Sequence, residues 1–198
     1  MPDIKSLSDE QRVALLAEHY KAILELLGED PSREGLLKTP CRAARAMLAL
    51  TAGYRQSPEE ILRSALFKEE YGSRGQIVVA RDIEFYSFCE HHILPFFGKV
   101  HIGYIPTDYV TGLSKLARLV DAFARRLQLQ ERLTLEICEA LQKTLAPQGA
   151  IVMMESRHLC MQMRGVEKQG TVTTTCSYTG VFEDIARREE FFSMLARR

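Results

Sequence analysis

The sequence predicts an α+β protein in which helices come first and a sheet flanked by helices follows. Residues 1–70 contain repeated helix-start signals, whereas residues 76–105 alternate apolar and polar side chains as strands do. Further β-rich runs occur near the C-terminus, and two amphipathic helices separate them from the first strands. The order β-β-α-α-β-β indicates strands that pair as hairpins, with the helices gathered on one face of the sheet.

Three helices are expected in the N-terminal part of the chain. Ser8 and Gln11 form a capping-box pattern, and apolar residues then recur at helical spacing until Gly28, which favours a helix end. The pairs Thr39-Pro40 and Ser57-Pro58 each place a capping residue before a proline, which favours two further helix starts. This stretch therefore reads as a helical segment.

The rest of the chain supplies the sheet. The expected strands cover residues 76–88, 96–105, 150–154 and 171–178. Helices are expected from about residue 114, from about residue 130, and over residues 182–198. We therefore divide the chain into an N-terminal helical segment, residues 1–70, and a second domain, residues 71–198, which ends in a helix.

Composition excludes several classes of function. The chain has 26 basic and 26 acidic side chains, and this zero net charge argues against a non-specific nucleic-acid-binding protein. No apolar run approaches the ~20 residues that span a bilayer, and no signal peptide is visible, so no membrane role is expected. Five cysteines, an odd number, in a chain rich in core residues favour a reducing, cytoplasmic setting.

Two short motifs concentrate soft ligand atoms. They are Cys89-Glu90-His91-His92 and, far downstream, His158-Leu159-Cys160. Thiolate and imidazole are ligands that Zn²⁺ prefers, and two cysteines plus one histidine would leave a fourth position for water, as in catalytic zinc sites. Cys89 and His92 have chelating spacing, which leaves His91 free to carry protons. Cys160 taken alone would read as a buried core thiol.

The second motif is expected to continue as a strand. If residues 158–164 are extended, the side chains of His158, Cys160, Gln162 and Arg164 project to one face. One strand would then present an imidazole, a thiolate and a guanidinium to one polar site. The alternative is a solvent-facing strand edge that carries a buried cysteine.

A cluster of hydrogen-bond donors follows at residues 114–118. Ser114 is expected to cap a helix whose first turn carries Lys115 and Arg118, a pattern that suits an anion. Two solvated surface charges are an equal alternative. Arg45, on the second helix, could add a cation, although an exposed helix face explains it as well. Glu131 starts another helix, where the dipole favours a carboxylate, and it could equally accept two hydrogen bonds from a guanine edge.

Taken together, these motifs resemble GTP cyclohydrolase I. The resemblance extends in order over about residues 8–195 and is carried by Ser87-Phe88-Cys89-Glu90-His91-His92, Gly112-Leu113-Ser114-Lys115-Leu116-Ala117-Arg118, Gln130-Glu131-Arg132-Leu133-Thr134 and His158-Leu159-Cys160-Met161. It implies an enzyme that converts GTP and water to 7,8-dihydroneopterin triphosphate and formate, the first step of folate or pterin biosynthesis. It also implies the tunnelling fold, built from four-stranded antiparallel units, and a homodecamer with active sites at subunit boundaries.

The resemblance also implies a role for each matching residue. The zinc ligands would be Cys89, His92 and Cys160, and the catalytic histidines would be His91 and His158. The triphosphate contacts would be Ser114, Lys115, Arg118 and Arg164, and the guanine contact would be Glu131, with Gln130 beside it. Arg45 stands where many members of the family carry lysine, so a phosphate contact there would come from a guanidinium instead of an ammonium.

Two other functions fit the same motifs. One is a related tunnelling-fold enzyme, a pterin synthase or an NADPH-dependent reductase, for which Cys89 would be a nucleophile instead of a ligand. The other is a zinc-stabilised oligomer that binds a nucleotide as a sensor and leaves it intact. Formation of a pterin from GTP distinguishes all three.

Overall fold

The computed structural model describes residues 4–68 and 75–196. Contacts group the chain into two compact units, with the boundary between residues 52 and 53. The domain boundary expected at residues 70 and 71 falls within residues 69–74, outside the described residues. The third helix, which we assigned to the N-terminal segment, belongs to the second unit.

Among its described residues, the first unit contains two α-helices. They are α1 (Asp9–Leu26) and α2 (Thr39–Leu50). The expected capping box is present, since the Gln11 N–H donates to Ser8 Oγ at 3.2 Å and the Ser8 N–H donates to Gln11 Oε1 at 2.9 Å. Gly28 adopts a φ of +87°, a left-handed conformation that ends a helix at little cost for glycine.

The second unit contains the remaining elements. In chain order they are α3 (Pro58–Arg63), β1 (Leu66–Lys68), β2 (Val78–Cys89), β3 (Leu94–Ile105), β4 (Tyr109–Thr111), α4 (Leu113–Ala124), β5 (Leu127–Gln128), α5 (Gln130–Leu145), β6 (Gly149–His158), α6 (Leu159–Gln162), β7 (Thr173–Tyr178) and α7 (Ile185–Ala196). The main sheet has the order β5-β2-β3-β6-β7, and β1 pairs with β4 separately. All neighbouring strands are antiparallel except β2 and β5.

The α+β class predicted from the sequence is confirmed. The element order is more elaborate than predicted, because β5 adds a short parallel strand beside β2 and α6 follows β6 directly. β6 also continues four residues beyond the expected end at residue 154, since β3 offers it pairing partners as far as His158.

Helices cover the sheet from both sides. Buried side chains of α4 and α5, including Leu119 and Ile137, pack in one core with Val100, Ile102 and Val152 of the sheet. Because side chains alternate along a strand, the neighbouring residues face the opposite side. There Ile105 and Ile151 form a second core with Phe182 and Phe191, the latter from α7. Among the described residues, no helix has the length and apolar character needed to cross a bilayer.

Candidate active site

The two cysteine- and histidine-bearing motifs meet in space. Cys89 ends β2, His92 lies in the turn that leads to β3, and Cys160 lies on α6. Their ligand atoms all lie within 4.8 Å of one another, and Cys89 Sγ is 3.8 Å from His92 Nδ1. Cys89 is buried, Cys160 is partly buried and His92 is exposed, so the group opens outward. This is the donor set predicted from the sequence.

A tight hairpin turn positions Cys89 and His92. The Cys89 carbonyl accepts hydrogen bonds from the backbone N–H groups of His92 at 3.3 Å and Ile93 at 2.8 Å. Ile93 has a φ of +53°, which bends the chain sharply enough for β3 to start at the next residue. The turn therefore folds His92 back over the end of β2.

Cys160 reaches the same place by a helical turn, and the predicted extended run over residues 158–164 is wrong. β6 ends at His158, opposite Phe96, and the chain enters α6 at once. The pairing between β6 and β3 ends with these two residues, so the strand does not continue past His158. The helical turn brings the Cys160 thiol towards Cys89.

The electrostatics of this group suit a bound cation. Burial and the neighbouring Cys89 thiol raise the pKa of Cys160, because two thiolates at close range repel one another. Partial desolvation and the charge of Arg164 lower the pKa of His92, which keeps its imidazole neutral and able to ligate. A divalent cation between the sulfurs would remove the repulsion, and two thiolates with one imidazole suit zinc.

A buried amide lies behind this group. The side chain of Gln130, at the start of α5, is 2% exposed. Its Nε2 donates to the carbonyls of Met154 at 3.3 Å and Thr173 at 3.0 Å. Since carbonyls only accept, these contacts fix the orientation of the amide. Its Oε1 therefore faces Ser156 Oγ at 2.6 Å and His158 Nε2 at 2.9 Å.

This orientation determines the tautomer of His158. An amide oxygen can only accept, so His158 Nε2 must carry a hydrogen and donate it to Gln130. In the neutral ring the other nitrogen, Nδ1, then holds a free lone pair. Burial lowers the pKa of His158, against the opposing charge of Glu131, so the neutral form is favoured. His158 is thus arranged to accept a proton at Nδ1.

Phe96 fixes the plane of the same ring. The rings of Phe96 and His158 are stacked with centroids 4.7 Å apart and an angle of 3° between their planes. Phe96 is completely buried, so it forms a rigid support. The hydrogen bond to Gln130 and this stack together leave the imidazole little freedom to rotate.

Most of the predicted site residues border one cavity of about 250 Å³. Those that line it are Cys89, His91, His92, Gln130, Glu131, His158 and Cys160. His91 and Glu131 are exposed. In the chain, His91 precedes His92 of the metal-capable group, and Glu131 follows the buried Gln130. A metal-capable group, two imidazoles and a carboxylate therefore share one opening.

Two predicted cations lie in a different cavity. Lys115 and Arg118 line an opening of about 640 Å³ together with Arg55 and Arg125. Glu60 and Asp121 also border it, and Asp121 forms an ion pair with Arg125 at 3.5 Å. The two cavities share no lining residue. Lys115 and Arg118 thus border the same opening, as their spacing on one helical turn allows.

Ser114 does not cap the helix, so that part of the prediction is wrong. Helix α4 begins at Leu113, and Gly112 occupies the capping position with no side-chain hydrogen bond. The Lys115 N–H already donates to the Gly112 carbonyl at 2.8 Å, which places Ser114 inside the first turn. Its side chain is exposed.

The other two predicted cations are exposed. Arg164 follows α6. Its charge contributes to the lowered pKa of His92 and partly opposes the rise in the pKa of Cys160, so it lies near the metal-capable group. Arg45 lies on the exposed side of α2 in the first unit.

Sequence reasoning missed two of the cations. Arg125 follows Arg118 by seven residues, two helical turns, and this spacing could have placed both on one side of α4. Arg55 ends a short 3₁₀ helix, and no local pattern links it to α4. Arg55 is positioned by Gly53, two residues earlier, which approaches the end of α4 closely. The Gly53 N–H donates to the Arg125 carbonyl at 3.0 Å.

The chain is similar to known proteins over most of its length. A family model described as GTP cyclohydrolase I matches residues 16–196. The chain is 58% identical over 192 residues to GTP cyclohydrolase 1 of Porphyromonas gingivalis, covering 97% of this chain and 98% of that one. It is 54% identical over 176 residues to GTP cyclohydrolase 1 of Dictyostelium discoideum, covering 88% and 75%. A solved structure, the archaeosine synthase QueF-Like in its apo form, matches with a TM-score of 0.44 at 20% identity, over 55% of this chain and 97% of that one.

Proposed function

The chain belongs to the GTP cyclohydrolase I family, and on that premise we propose the metal, the residues and the product of its reaction. It is an enzyme of this family. The proposed reaction converts GTP and water to 7,8-dihydroneopterin triphosphate and formate, at the entry to folate or pterin biosynthesis. The observation that carries this proposal is the single cavity that joins a metal-capable group to His91, His158 and Glu131.

The proposed metal is zinc, held by Cys89, His92 and Cys160. Their donor atoms lie close enough to share one ion, and the raised pKa of Cys160 is what a bound cation would reverse. When bound, zinc supplies a Lewis acid that makes water a better nucleophile near neutral pH. Water is the reactant that must add to C8 of the guanine before the five-membered ring can open.

His158 is the proposed proton carrier. Its neutral tautomer takes a proton at Nδ1 from the attacking water and delivers it to N7 of the guanine. Protonation at N7 neutralises the electron pair that addition of water at C8 leaves on that nitrogen, and it assists opening of the ring. Hydrolysis of the resulting formamide releases formate, and the ribose then rearranges and closes onto the exposed amine to form the pterin. His91, exposed at the same opening, is a second proton carrier for these later steps.

Glu131 is the proposed guanine contact. Its carboxylate lies at the cavity and can accept two hydrogen bonds, from N1–H and the 2-amino group of guanine. We assign Gln130 a different role from the substrate contact expected from the resemblance. Both ends of its amide already bond to protein groups, so it positions His158 instead of reaching the base.

The triphosphate is proposed to bind the cation-lined cavity. Lys115 and Arg118 provide positive charge in this cavity, with Ser114 in the same helical turn. Arg164 and Arg45, neither of which lines this cavity, are proposed as further contacts to the triphosphate. Since this cavity shares no lining residue with the one that holds His158, we propose that one substrate spans both across a boundary between copies of the chain. Exposed leucines such as Leu26, which is 88% exposed, are consistent with a homo-oligomer, which we propose is a decamer.

The proposed location is the cytoplasm. All five cysteines are free thiols in the structure, and two of them are proposed ligands. A ligand thiolate must stay reduced to bind the metal, which suits a reducing compartment.

A cysteine substitution tests the metal and the reaction together. Cys160→Ser removes a ligand, so it should lower both the zinc content per chain and the formate released from GTP by at least tenfold. Cys176→Ser, on β7, is the matched control, since Cys176 does not line the cavity, and it should retain both. Full formate release by a Cys160→Ser protein that lacks zinc would contradict the proposal.

A further inference from the structure

Glu90 lies inside the metal-ligand turn but does not face the ligands. Among the described residues, the metal-capable group consists of Cys89, His92 and Cys160, without the carboxylate between them. The Glu90 side chain instead forms an ion pair with Arg132, through Oε2 and a terminal guanidinium nitrogen. The carboxylate therefore points from the turn towards helix α5.

Arg132 stands at an unfavourable place for a cation. It lies in the first turn of α5, where the helix dipole disfavours positive charge by up to ~1 kcal/mol. Glu90 offsets this, and its hydrogen bond is the main reason that the pKa of Arg132 is raised. The two side chains are 32% and 41% exposed, so water only partly screens the pair.

A buried glutamine extends this contact into the protein. Arg132 Nε donates to Gln128 Oε1 at 3.0 Å, and Gln128 is only 2% exposed. Gln128 Nε2 in turn donates to Glu136 at 2.8 Å and to the Phe123 carbonyl at 3.1 Å. The contacts of Gln128 thus reach both α4 and α5.

Strand β5, which contains Gln128, also holds the turn through its backbone. The Glu90 N–H donates to the Gln128 carbonyl at 3.1 Å, and Cys89 pairs with Gln128 in the parallel ladder between β2 and β5. Glu90 is therefore fixed twice to one segment, through its backbone and, by way of Arg132, through its side chain.

We propose that Glu90 and Arg132 are positioning residues that hold the metal-ligand turn in register with the start of α5. The turn carries Cys89 and His92, and the start of α5 carries Gln130 and Glu131. The ion pair spans these two parts of the site, so it sets how the ligands stand relative to the residues proposed to act on the base. Partners of this kind commonly change metal affinity by 10–100-fold when removed.

Zinc affinity is the direct test, and the inference rests on the metal site proposed above. Metal-free protein would be titrated with Zn²⁺ against a chromophoric chelator, without substrate. Glu90→Gln and Arg132→Met should each weaken zinc binding about tenfold. The double variant should bind little worse than either single variant, because both remove one contact. Arg132→Lys keeps the charge but loses the planar fork of the guanidinium. Its zinc affinity should lie between that of the parent and that of Arg132→Met.

A matched control separates positioning from general stability. Glu59 forms an ion pair with Lys143 at 3.3 Å, away from the metal-ligand turn. Glu59→Gln breaks this pair and should leave zinc affinity unchanged. The thermal midpoint of each metal-free variant would be measured alongside. Zinc binding within twofold of the parent in Glu90→Gln and Arg132→Met would overturn the inference, whether or not their midpoints fall. A parent chain that binds no zinc would overturn the metal site itself, and this inference with it.

Discussion

The side chain of Gln130 decides which nitrogen of His158 can accept a proton. Its amide nitrogen is committed to two backbone carbonyls, so its oxygen must face the imidazole. That choice places the hydrogen on Nε2 and leaves Nδ1 as the acceptor. At the scale of single residues, the proposed chemistry thus depends on a group to which we assign no contact with the substrate.

Gln130→Glu tests this role. A carboxylate cannot donate to the carbonyls of Met154 and Thr173, so the orientation that sets the tautomer of His158 is lost. We expect kcat to fall about 100-fold, the usual contribution of a positioned proton carrier, while zinc content stays unchanged. Steady-state kinetics with GTP and metal analysis measure both.

A half-buried amide of α5 provides the control. Gln142 donates to the Pro147 carbonyl at 3.3 Å and accepts from Thr179 at 2.7 Å, away from the cavity. Gln142→Glu should therefore lower stability without a comparable loss of kcat. If Gln130→Glu retained the kcat of the parent, the assignment of His158 Nδ1 as the proton acceptor would be wrong.

At the scale of elements, the bulge in β2 depends on an uncharged histidine. The register of β2 against β3 shifts between Ala80 and Ile83, and Asp82 there has a φ of +59°. The Asp82 N–H, left without a strand partner, donates to Nδ1 of His101 at 3.1 Å. Protonation of His101 would remove this acceptor.

The bulge should therefore weaken in acid. Burial lowers the pKa of His101; Asp82 and Glu155 oppose this, whereas Lys99 and Arg81 add to it. The unfolded chain, with a histidine pKa near ~6.5, then binds the proton at a higher pH than the folded chain does. Stability is fully present above that value and is lost as pH falls from it towards the lower folded pKa, by at most about 1.4 kcal/mol per pH unit.

Chemical denaturation at several pH values from about 7.5 to about 5, on both sides of the ~6.5 reference pKa of histidine, measures this effect. His101→Asn keeps a side-chain acceptor that does not titrate. The parent should lose the contribution of His101 as the pH falls, whereas the variant has no such contribution to lose. The difference in unfolding free energy between parent and variant should therefore narrow. Parallel pH profiles for the two proteins would contradict the assignment.

Periodicity predicted the long elements but not the short ones. The alternation of Val100, Ile102 and Tyr104 indicated β3 correctly, because every second side chain enters the same core. The run from His158 to Arg164 also alternates, yet it turns at Leu159, because its pairing with β3 ends at Phe96. Strand β5 has two residues and no period to detect.

The site was predictable where its residues are close in sequence or in a known motif. Cys89, His92 and Cys160 followed from ligand chemistry, and the structure brings them together. The contact between Glu90 and Arg132 joins residues 42 positions apart, and no local pattern signals it. The role of Gln130, on α5, was likewise hidden, since it depends on two carbonyls from strands β6 and β7.

At the scale of the whole molecule, we propose that the active site is shared between copies of the chain. His158 and Arg118 line separate cavities within one chain. His158→Ala and Arg118→Ala should each be inactive alone. Co-expressed chains should recover activity, because about a quarter of the shared sites in a random mixture receive both intact parts.

A chain that carries both substitutions provides the control for this mixing experiment. Co-expressed with His158→Ala, it supplies no intact imidazole and should stay inactive. Absence of recovery in the first mixture would show that each site lies within one chain.

The most direct test of the central claim is formate release from GTP by one protein sample with and without its metal. We expect one formate and one pterin per GTP consumed by the zinc-loaded protein. After chelation both products should be lost, and both should return when Zn²⁺ is restored. Recovery of intact GTP from the zinc-loaded protein, or undiminished formate release from the metal-free protein, would contradict it.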